Sequence, residues 1–218
     1  TLSAVVRYHL LLPSTATRRD LQDPATIAAV SENLGGDTVL LERDGVAEAY
    51  RNLDTAIGGN GGDSSRVLAK LEELERQGRM HFDLLVFNCG LHDIKRARPE
   101  ETLQIPPEAY ARNLRAILAL AEKHDIRPVF VSTTPADETR YAPDAQFTRY
   151  AADAVQYNEI AAAVMQEHQV PVWDLYRFTT ALGLTGDALY RDHTHFTDPV
   201  IRMQAAFLAG AMEAEVQK

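Results

Sequence analysis

The hydrophobic positions of the chain fall into short and long runs that alternate along the sequence. Short apolar runs without polar alternation are typical of strands that are buried on both faces of a sheet. Four segments have this pattern: residues 38–41, 82–87, 128–132 and 170–173. The run at 82–87 is the strongest of them, and it leads into the turn Asn88-Cys89-Gly90.

Longer stretches between these runs repeat their apolar residues every three or four positions, as one face of a helix does. We expect a helix from about residue 66 capped by Ser64 or Ser65, one that opens near Pro107, one over roughly 145–168, and one from about 199 to 216 capped by Asp198. A further helix is expected behind Asp23-Pro24, with Gly35-Gly36 as its stop.

Strands that alternate with helices of this length predict βαβ units, and therefore a parallel sheet covered by helices on both faces. The chain has 218 residues and no linker, repeat or low-complexity tract, which favours a single domain over residues 1–218. Ligands of such sheets bind at the carboxyl ends of the strands. Candidate chemistry is therefore expected in the loops that lead from strands into helices.

Composition and charge narrow the function classes. The formal net charge is −9, which argues against nucleic acid as the main partner, because phosphate binding requires a basic face. The basic pairs Arg18-Arg19 and Lys95-Arg96 are short, and we expect them to be solvated surface. No run approaches the roughly 18 apolar residues that a membrane span requires. The single cysteine, Cys89, follows an apolar run and is expected to be a buried structural thiol.

Three polar segments carry candidate chemistry. Residues 60–65 form a Gly-rich loop before a helix, where backbone amides can approach a ligand. Residues 88–95 follow the best strand and contain Gly90-Leu91-His92-Asp93. Near the C-terminus, Asp192 precedes His195 by three residues. Histidine is the usual general base near neutral pH, and a nearby carboxylate can hold its ring and stabilise its charged form.

Taken together, these segments resemble the SGNH (GDSL-type) hydrolase family. Gly62 matches the second sequence block of that family, Gly90–Asp93 matches the third, and Asp192 with His195 matches the fourth, in the family's order over roughly residues 55–200. The resemblance implies a three-layer, flavodoxin-like α/β sandwich with a mostly parallel sheet. It also implies a serine esterase, resembling the carbohydrate acetylesterases, that requires no metal or other cofactor.

The roles of individual residues follow from the same resemblance. His195 would take the proton of a nucleophilic serine and later protonate the leaving alcohol, and Asp192 would orient His195. The Gly62 amide and the His92 side chain would bind the oxyanion. His92 is a departure, because the family usually has Asn there, but a neutral His can also donate one hydrogen bond. Asp93 is expected to brace a neighbouring turn.

The first block, which supplies the nucleophile, has no convincing match. Gly62-Asp63-Ser64 spells the family's tripeptide, but no clear strand leads into it, so Ser64 is favoured as a helix cap over a nucleophile. The opening Thr1-Leu2 could continue a Gly-Asp-Ser-Thr turn, which predicts that the first strand and the nucleophile precede Thr1. Val5, Tyr8 and Leu12 would then lie in the helix that follows, and Ser3 is a weak alternative nucleophile.

Two other interpretations use the same residues. A metal site could draw on Asp192, His193, His195 and Asp198, although neighbours on an extended segment point to opposite sides, and His193 is more simply a solvated neighbour. A non-catalytic carbohydrate- or ligand-binding module on the same fold would explain the missing nucleophile. The favoured partner remains a small-molecule or carbohydrate ester, the resemblance is compatible with a secreted or periplasmic enzyme, and the oligomeric state stays open.

Overall fold

The computed structural model describes residues 8–11 and 61–216. In chain order, the elements of these residues are β1 (Tyr8–Leu11), α1 (Ser64–Arg76), β2 (Leu84–Phe87), β3 (Arg96–Ala97), β4 (Thr102–Leu103), α2 (Pro107–Lys123), β5 (Arg127–Val131), β6 (Phe147–Thr148), α3 (Ala151–Glu167), β7 (Val172–Trp173), α4 (Leu175–Ala181), α5 (Gly186–Leu189) and α6 (Asp198–Val216). A short 3-10 helix over Glu138–Arg140 lies between β5 and β6.

The main sheet has the strand order β1-β2-β5-β7, and all its neighbouring strands are parallel. In the register, Leu84 of β2 stands opposite Tyr8 on one side and Arg127 on the other. The expectation of a parallel sheet is confirmed. Its carboxyl edge carries the loop that follows β2 and the one that follows β5.

The sheet separates two hydrophobic cores. Leu85 and Phe87 of β2 pack with Phe130 in the core beneath α1, α2 and α3. Leu84 and Val86 point to the opposite face, in the core that α4 and α6 cover. Because successive residues of a strand face opposite sides, a strand that is apolar at every position feeds both cores at once. The three-layer α/β sandwich is therefore confirmed.

The helix predictions are confirmed in position and corrected in detail. α1 begins at Ser64, but its cap is Asp63, whose carboxylate accepts a hydrogen bond from the Arg66 amide at 3.0 Å, so the prediction of a serine cap is wrong. The start near Pro107 and the extent of the last helix are confirmed, although Asp198 is its first residue and not its cap.

The third helix begins at Ala151, later than predicted, because the preceding segment forms β6. β6 pairs with β3, and β3 pairs with β4, in a small antiparallel sheet. Strands of two residues have too little periodicity to be read from a sequence.

The strand Tyr8–Leu11 corrects the expectation that Tyr8 belongs to a helix. Its four residues pair with the whole of β2, so the sheet continues beyond the strand that carries the Gly90–Asp93 loop. The predicted strand at 38–41, the predicted helix behind Asp23-Pro24 and the segment around Ser3 lie outside the described residues.

The expectation that Lys95 and Arg96 are solvated is also wrong. Arg96 makes a two-pronged ion pair with Asp153 of α3, with Nε–Oδ2 and Nη2–Oδ1 distances of 2.7 and 2.8 Å. Lys95 is half-buried against the ring of Phe147. Within the described part of the chain, none of the helices combines the length and apolarity needed to cross a bilayer.

The two-sided burial of β2 makes a quantitative prediction. Val86 is fully buried, whereas Val155 on α3 is 40% exposed. We expect Val86→Ala to lower the free energy of unfolding by about 2 kcal/mol, because two methyl groups are lost from a packed core. The matched control Val155→Ala should have almost no effect. Urea denaturation of both variants tests this, and equal losses would contradict the assigned layers.

Candidate active site

The loop between α5 and α6 holds a histidine against a carboxylate. His195 Nδ1 lies 2.6 Å from Asp192 Oδ2, while Asp192 Oδ1 accepts hydrogen bonds from the amides of Thr194 and His195, both at 2.8 Å. Three contacts from two residues of the same loop, Thr194 and His195, fix the carboxylate relative to the ring. Because Nδ1 is engaged, Nε2 is the nitrogen that can exchange a proton with a substrate or nucleophile, and the His195 side chain is 56% exposed.

Electrostatics keep Asp192 ionised. Partial burial raises the pKa of Asp192, but the hydrogen bonds from the His195 and Thr194 amides and from the imidazole outweigh it and lower the pKa to about 2. The carboxylate is therefore negative near neutral pH, where it would stabilise a positive charge on the His195 ring.

The polypeptide around this pair is tightly anchored. Phe196 is fully buried, and its ring stacks on Tyr190 at a centroid distance of 5.2 Å. Arg140 donates from Nε to the Asp192 carbonyl at 2.9 Å. The Phe196–Tyr190 contact and the Arg140 guanidinium both fix this loop in place, so the position of His195 is well supported.

The two predicted oxyanion segments are joined by Asp93. The Ser64 amide donates to both carboxylate oxygens of Asp93, at 2.9 and 3.1 Å. Asp93 therefore ties the Gly62-Asp63-Ser64 turn to the Gly90–Asp93 loop, as the sequence predicted. Burial raises the pKa of Asp93 to about 6, although its hydrogen bonds with Ser64 oppose that rise.

His92 lies half-buried on the same loop. Burial lowers the pKa of His92, and the positive charges of Arg149 and Lys95 lower it further. Its imidazole is therefore neutral at pH 7 and carries one N–H donor. This is the protonation state in which a histidine can replace the side-chain amide that the family usually has at this position.

Gly90 adopts a backbone conformation that other residues avoid, with φ of 139°. A Cβ atom there would lie 2.1 Å from Thr133 Oγ1, which itself donates to the Cys89 carbonyl at 3.0 Å. Tyr110 donates to the same carbonyl at 2.9 Å. The loop after β2 is therefore clamped against the loop after β5, at the carboxyl edge of the sheet.

The Cys89 thiol is buried as predicted, and burial raises its pKa, which keeps it protonated. The three described serines all have structural roles. Ser64 is fully buried and accepts a hydrogen bond from Asn113 Nδ2 at 2.8 Å, Ser65 accepts another at 2.9 Å, and Ser132 donates to Asp174 at 3.0 Å. None of these three side chains is bonded to His195.

The residues of the alternative metal site are used differently. Asp198 pairs with Arg191, and the His193 ring stacks on Tyr141 at 3.9 Å, which corrects the expectation of a solvated His193. Among residues 8–11 and 61–216, no three His, Cys, Asp or Glu side chains form a group that could hold a metal ion.

Arg149 connects the Gly90–Asp93 loop with the loop that carries Asp192 and His195, through Tyr141, and sequence reasoning missed it. Its Nε donates to the Leu91 carbonyl at 2.5 Å, and its Nη1 donates to Tyr141 Oη at 3.2 Å. Tyr141 in turn carries the ring of His193, the residue after Asp192. Nothing in the local sequence distinguishes Arg149 from a surface arginine, because its role comes from contacts with distant segments.

The molecule is an α/β sandwich that has an Asp–His pair and, after β2, a loop whose conformation requires glycine at residue 90. The sequence profile of the GDSL-like Lipase/Acylhydrolase family matches residues 28–199, and the chain belongs to this family. Gly62, His92, Asp192 and His195 all lie within the matched range. Membership of the family supports ester hydrolase activity.

Solved structures share the fold at low sequence identity. The lipase/acylhydrolase from Enterococcus faecalis is 19% identical, with a TM-score of 0.60 and 95% of each chain covered. The acetyl xylan esterase AlAXEase is 16% identical, with a TM-score of 0.55 over 71% of this chain and 78% of that one. Est24, a carbohydrate acetylesterase from Sinorhizobium meliloti, is 12% identical, with a TM-score of 0.55 over 72% and 76%.

A second similarity is short. The chain is 52% identical over 80 residues, 37% of its length, to the bifunctional uridylyltransferase/uridylyl-removing enzyme of Mycobacterium tuberculosis. A stretch of 39 residues is 56% identical to the corresponding enzyme of Streptomyces coelicolor. The similarity spans about a tenth of the Mycobacterium tuberculosis protein and 5% of the Streptomyces coelicolor protein.

The buried Asp93 predicts an unusual dependence of stability on pH. Its pKa rises from 3.8 to about 6 on folding, so between these values the folded state binds more protons than the unfolded state. The contribution of Asp93 must then fall as pH rises through this window, by about 2–3 kcal/mol in total.

Urea denaturation between pH 4 and pH 7 measures this contribution. The free energy of unfolding of Asp93→Asn should not show the fall with rising pH that Asp93 causes in the wild type. Towards low pH, the values for the two proteins should approach each other or cross. The exposed Asp144→Asn serves as control and should run parallel to the wild type. A parallel curve for Asp93→Asn would show that the carboxylate does not resist ionisation.

The clamp at Gly90 makes a second prediction. Gly90→Ala should destabilise the protein by about 2–4 kcal/mol, because the methyl group meets Thr133 and the backbone conformation becomes strained. Gly210 in α6 is exposed and has open space around it, so Gly210→Ala should stabilise by about 0.5–1 kcal/mol. Thermal unfolding distinguishes the two, and equal shifts would contradict the described loop.

Proposed function

We propose that the protein is a serine esterase that hydrolyses a small O-acyl ester through a Ser-His-Asp mechanism. The observation that carries this proposal is the 2.6 Å contact between His195 Nδ1 and an ionised Asp192 on an anchored loop. This is the arrangement of a general base whose ring is oriented by a carboxylate and whose second nitrogen faces outwards.

In the proposed reaction, His195 Nε2 takes the proton of a serine hydroxyl as that oxygen attacks the ester carbonyl. The tetrahedral intermediate then collapses, and His195 returns the proton to the leaving alcohol. Water attacks the acyl-enzyme by the same route, which releases the acid and restores the serine. Asp192 remains ionised throughout and balances the charge on His195.

The oxyanion would be held by the Gly62 amide and the His92 side chain. Their segments are linked through Asp93, so the two donors have a fixed relation before substrate binds. Donors that are already in place cost no reorganisation during the reaction, and each contributes about 2.7–4 kcal/mol of transition-state stabilisation.

The nucleophile would be a serine outside the described residues. Ser3, Ser14 and Ser31 are the serines of this chain that lie there. An acetyl ester is the substrate that we favour, because two of the proteins with the same fold are named as an acetyl xylan esterase and a carbohydrate acetylesterase.

Substitution of the base tests the mechanism. His195→Ala should lower kcat/KM for p-nitrophenyl acetate by on the order of a thousandfold. His81 is exposed, and His81→Ala is the matched control that should retain wild-type rates. Undiminished hydrolysis by His195→Ala would sink the assignment of the base.

A fluorophosphonate probe distinguishes the esterase from a binding module on the same fold. Mapping the labelled peptide should identify one serine, and His195→Ala should suppress its labelling because the hydroxyl is no longer activated. A protein that binds carbohydrate esters but takes up no label would be the binding module.

A further inference from the structure

Two cations lie against one aromatic ring beside the His92 loop. Lys95 Nζ is 4.5 Å from the centroid of the Phe147 ring, and Arg149 Cζ is 5.0 Å from it. Arg149 is 6% exposed, and Lys95 is half-buried. The Phe147 ring thus makes cation–π contacts with both positive charges. The net charge of the whole chain is −9.

Neither cation has an acidic partner in the described part of the chain. Arg149 donates to the Leu91 carbonyl and to the Tyr141 hydroxyl, which are both neutral. The neighbouring Arg96, in contrast, makes a two-pronged pair with Asp153. A buried cation without a counter-ion is costly to a folded protein, so its retention points to an anion that arrives from outside.

The two charges are placed where a substrate would bind. Both positive charges lower the pKa of the His92 imidazole, which we propose as an oxyanion donor. The charge of Arg149 also lowers the pKa of His193, the residue after Asp192. The negative charge of Asp63 has the opposite effect and raises the pKa of His92. Its oxygens are already engaged, one by the Arg66 amide at 3.0 Å and the other by Gln104 Nε2 at 2.6 Å.

We propose that Arg149 and Lys95 bind a carboxylate on the alcohol part of the substrate, so that the enzyme prefers acyl esters of acidic alcohols. This inference rests on the proposed esterase function and refines its substrate class. Because the acyl group that we propose is a plain acetyl group, the carboxylate is assigned to the alcohol part. A guanidinium presents several N–H donors in one plane, a geometry that suits a carboxylate.

The kinetic test compares two esters that differ in charge. We expect 4-acetoxybenzoate to have a kcat/KM about tenfold higher than that of neutral 4-acetoxybenzamide, and high salt should reduce this ratio. Arg149→Gln and Lys95→Met should each bring the ratio towards one. Arg115→Gln, which removes a cation paired with Glu167 elsewhere on the surface, should leave the ratio unchanged.

A binding test does not depend on catalysis. Isothermal titration with the amide analogues 4-acetamidobenzoate and 4-acetamidobenzamide should give the carboxylate the lower Kd in wild-type protein but not in Lys95→Met. Lys95→Met keeps the inference testable if Arg149→Gln does not fold. Equal Kd values in the wild type, or a preference that survives both variants, would overturn it. Selective binding without hydrolysis of either acetate would instead overturn the esterase proposal alone.

Discussion

The proposed active site depends on one buried carboxylate, that of Asp93. Asp93 ends the loop after β2, and both its oxygens receive the amide at the start of α1. This bond joins the Gly62 turn directly to the His92 loop, and Gln104 adds a second link, since it bonds both Asp63 and the Lys95 carbonyl. The bond has an energetic cost, since a carboxylate inside the protein resists ionisation, and the cost is visible in the pKa of about 6. In return, the bond joins the N-terminus of α1 and the loop after β2 into one rigid unit.

A second link extends this unit to the base. The guanidinium of Arg149 connects the Leu91 carbonyl with the Tyr141 hydroxyl, and Tyr141 stacks on His193. The proposed oxyanion donors and the Asp192–His195 pair come from segments about a hundred residues apart in sequence. Their relative position therefore depends on two side chains that take no part in the proposed chemistry. A substitution at Asp93 would act on the whole arrangement, whereas one at Arg149 would remove both this link and a charge that we propose binds the substrate.

The sequence predicted the layers of the fold well because burial dominates the pattern. A strand such as Leu84–Phe87 is apolar at every position since both of its faces are covered, and α2 shows its apolar stripe and its opening proline directly. It predicted the cap of α1 incorrectly because Asp63 and Ser64 are both good caps, and the contact of Ser64 with Asp93 decides between them. The Asp192–His195 pair was predictable since the two residues share a loop. Arg149 was not, because its partners lie far away in sequence.

The positive charges of Arg149 and Lys95 determine which substrate charge the proposed site would favour. His92 must be neutral to donate as proposed, and the nearby positive charges of Arg149 and Lys95 favour that state. The same charges would attract a developing oxyanion and any anionic group next to it. Asp192 bonds instead to His195 and to two backbone amides. A neutral ester would therefore be attracted by these charges only through its developing oxyanion. An ester with a nearby carboxylate would be attracted by them in both the ground state and the transition state.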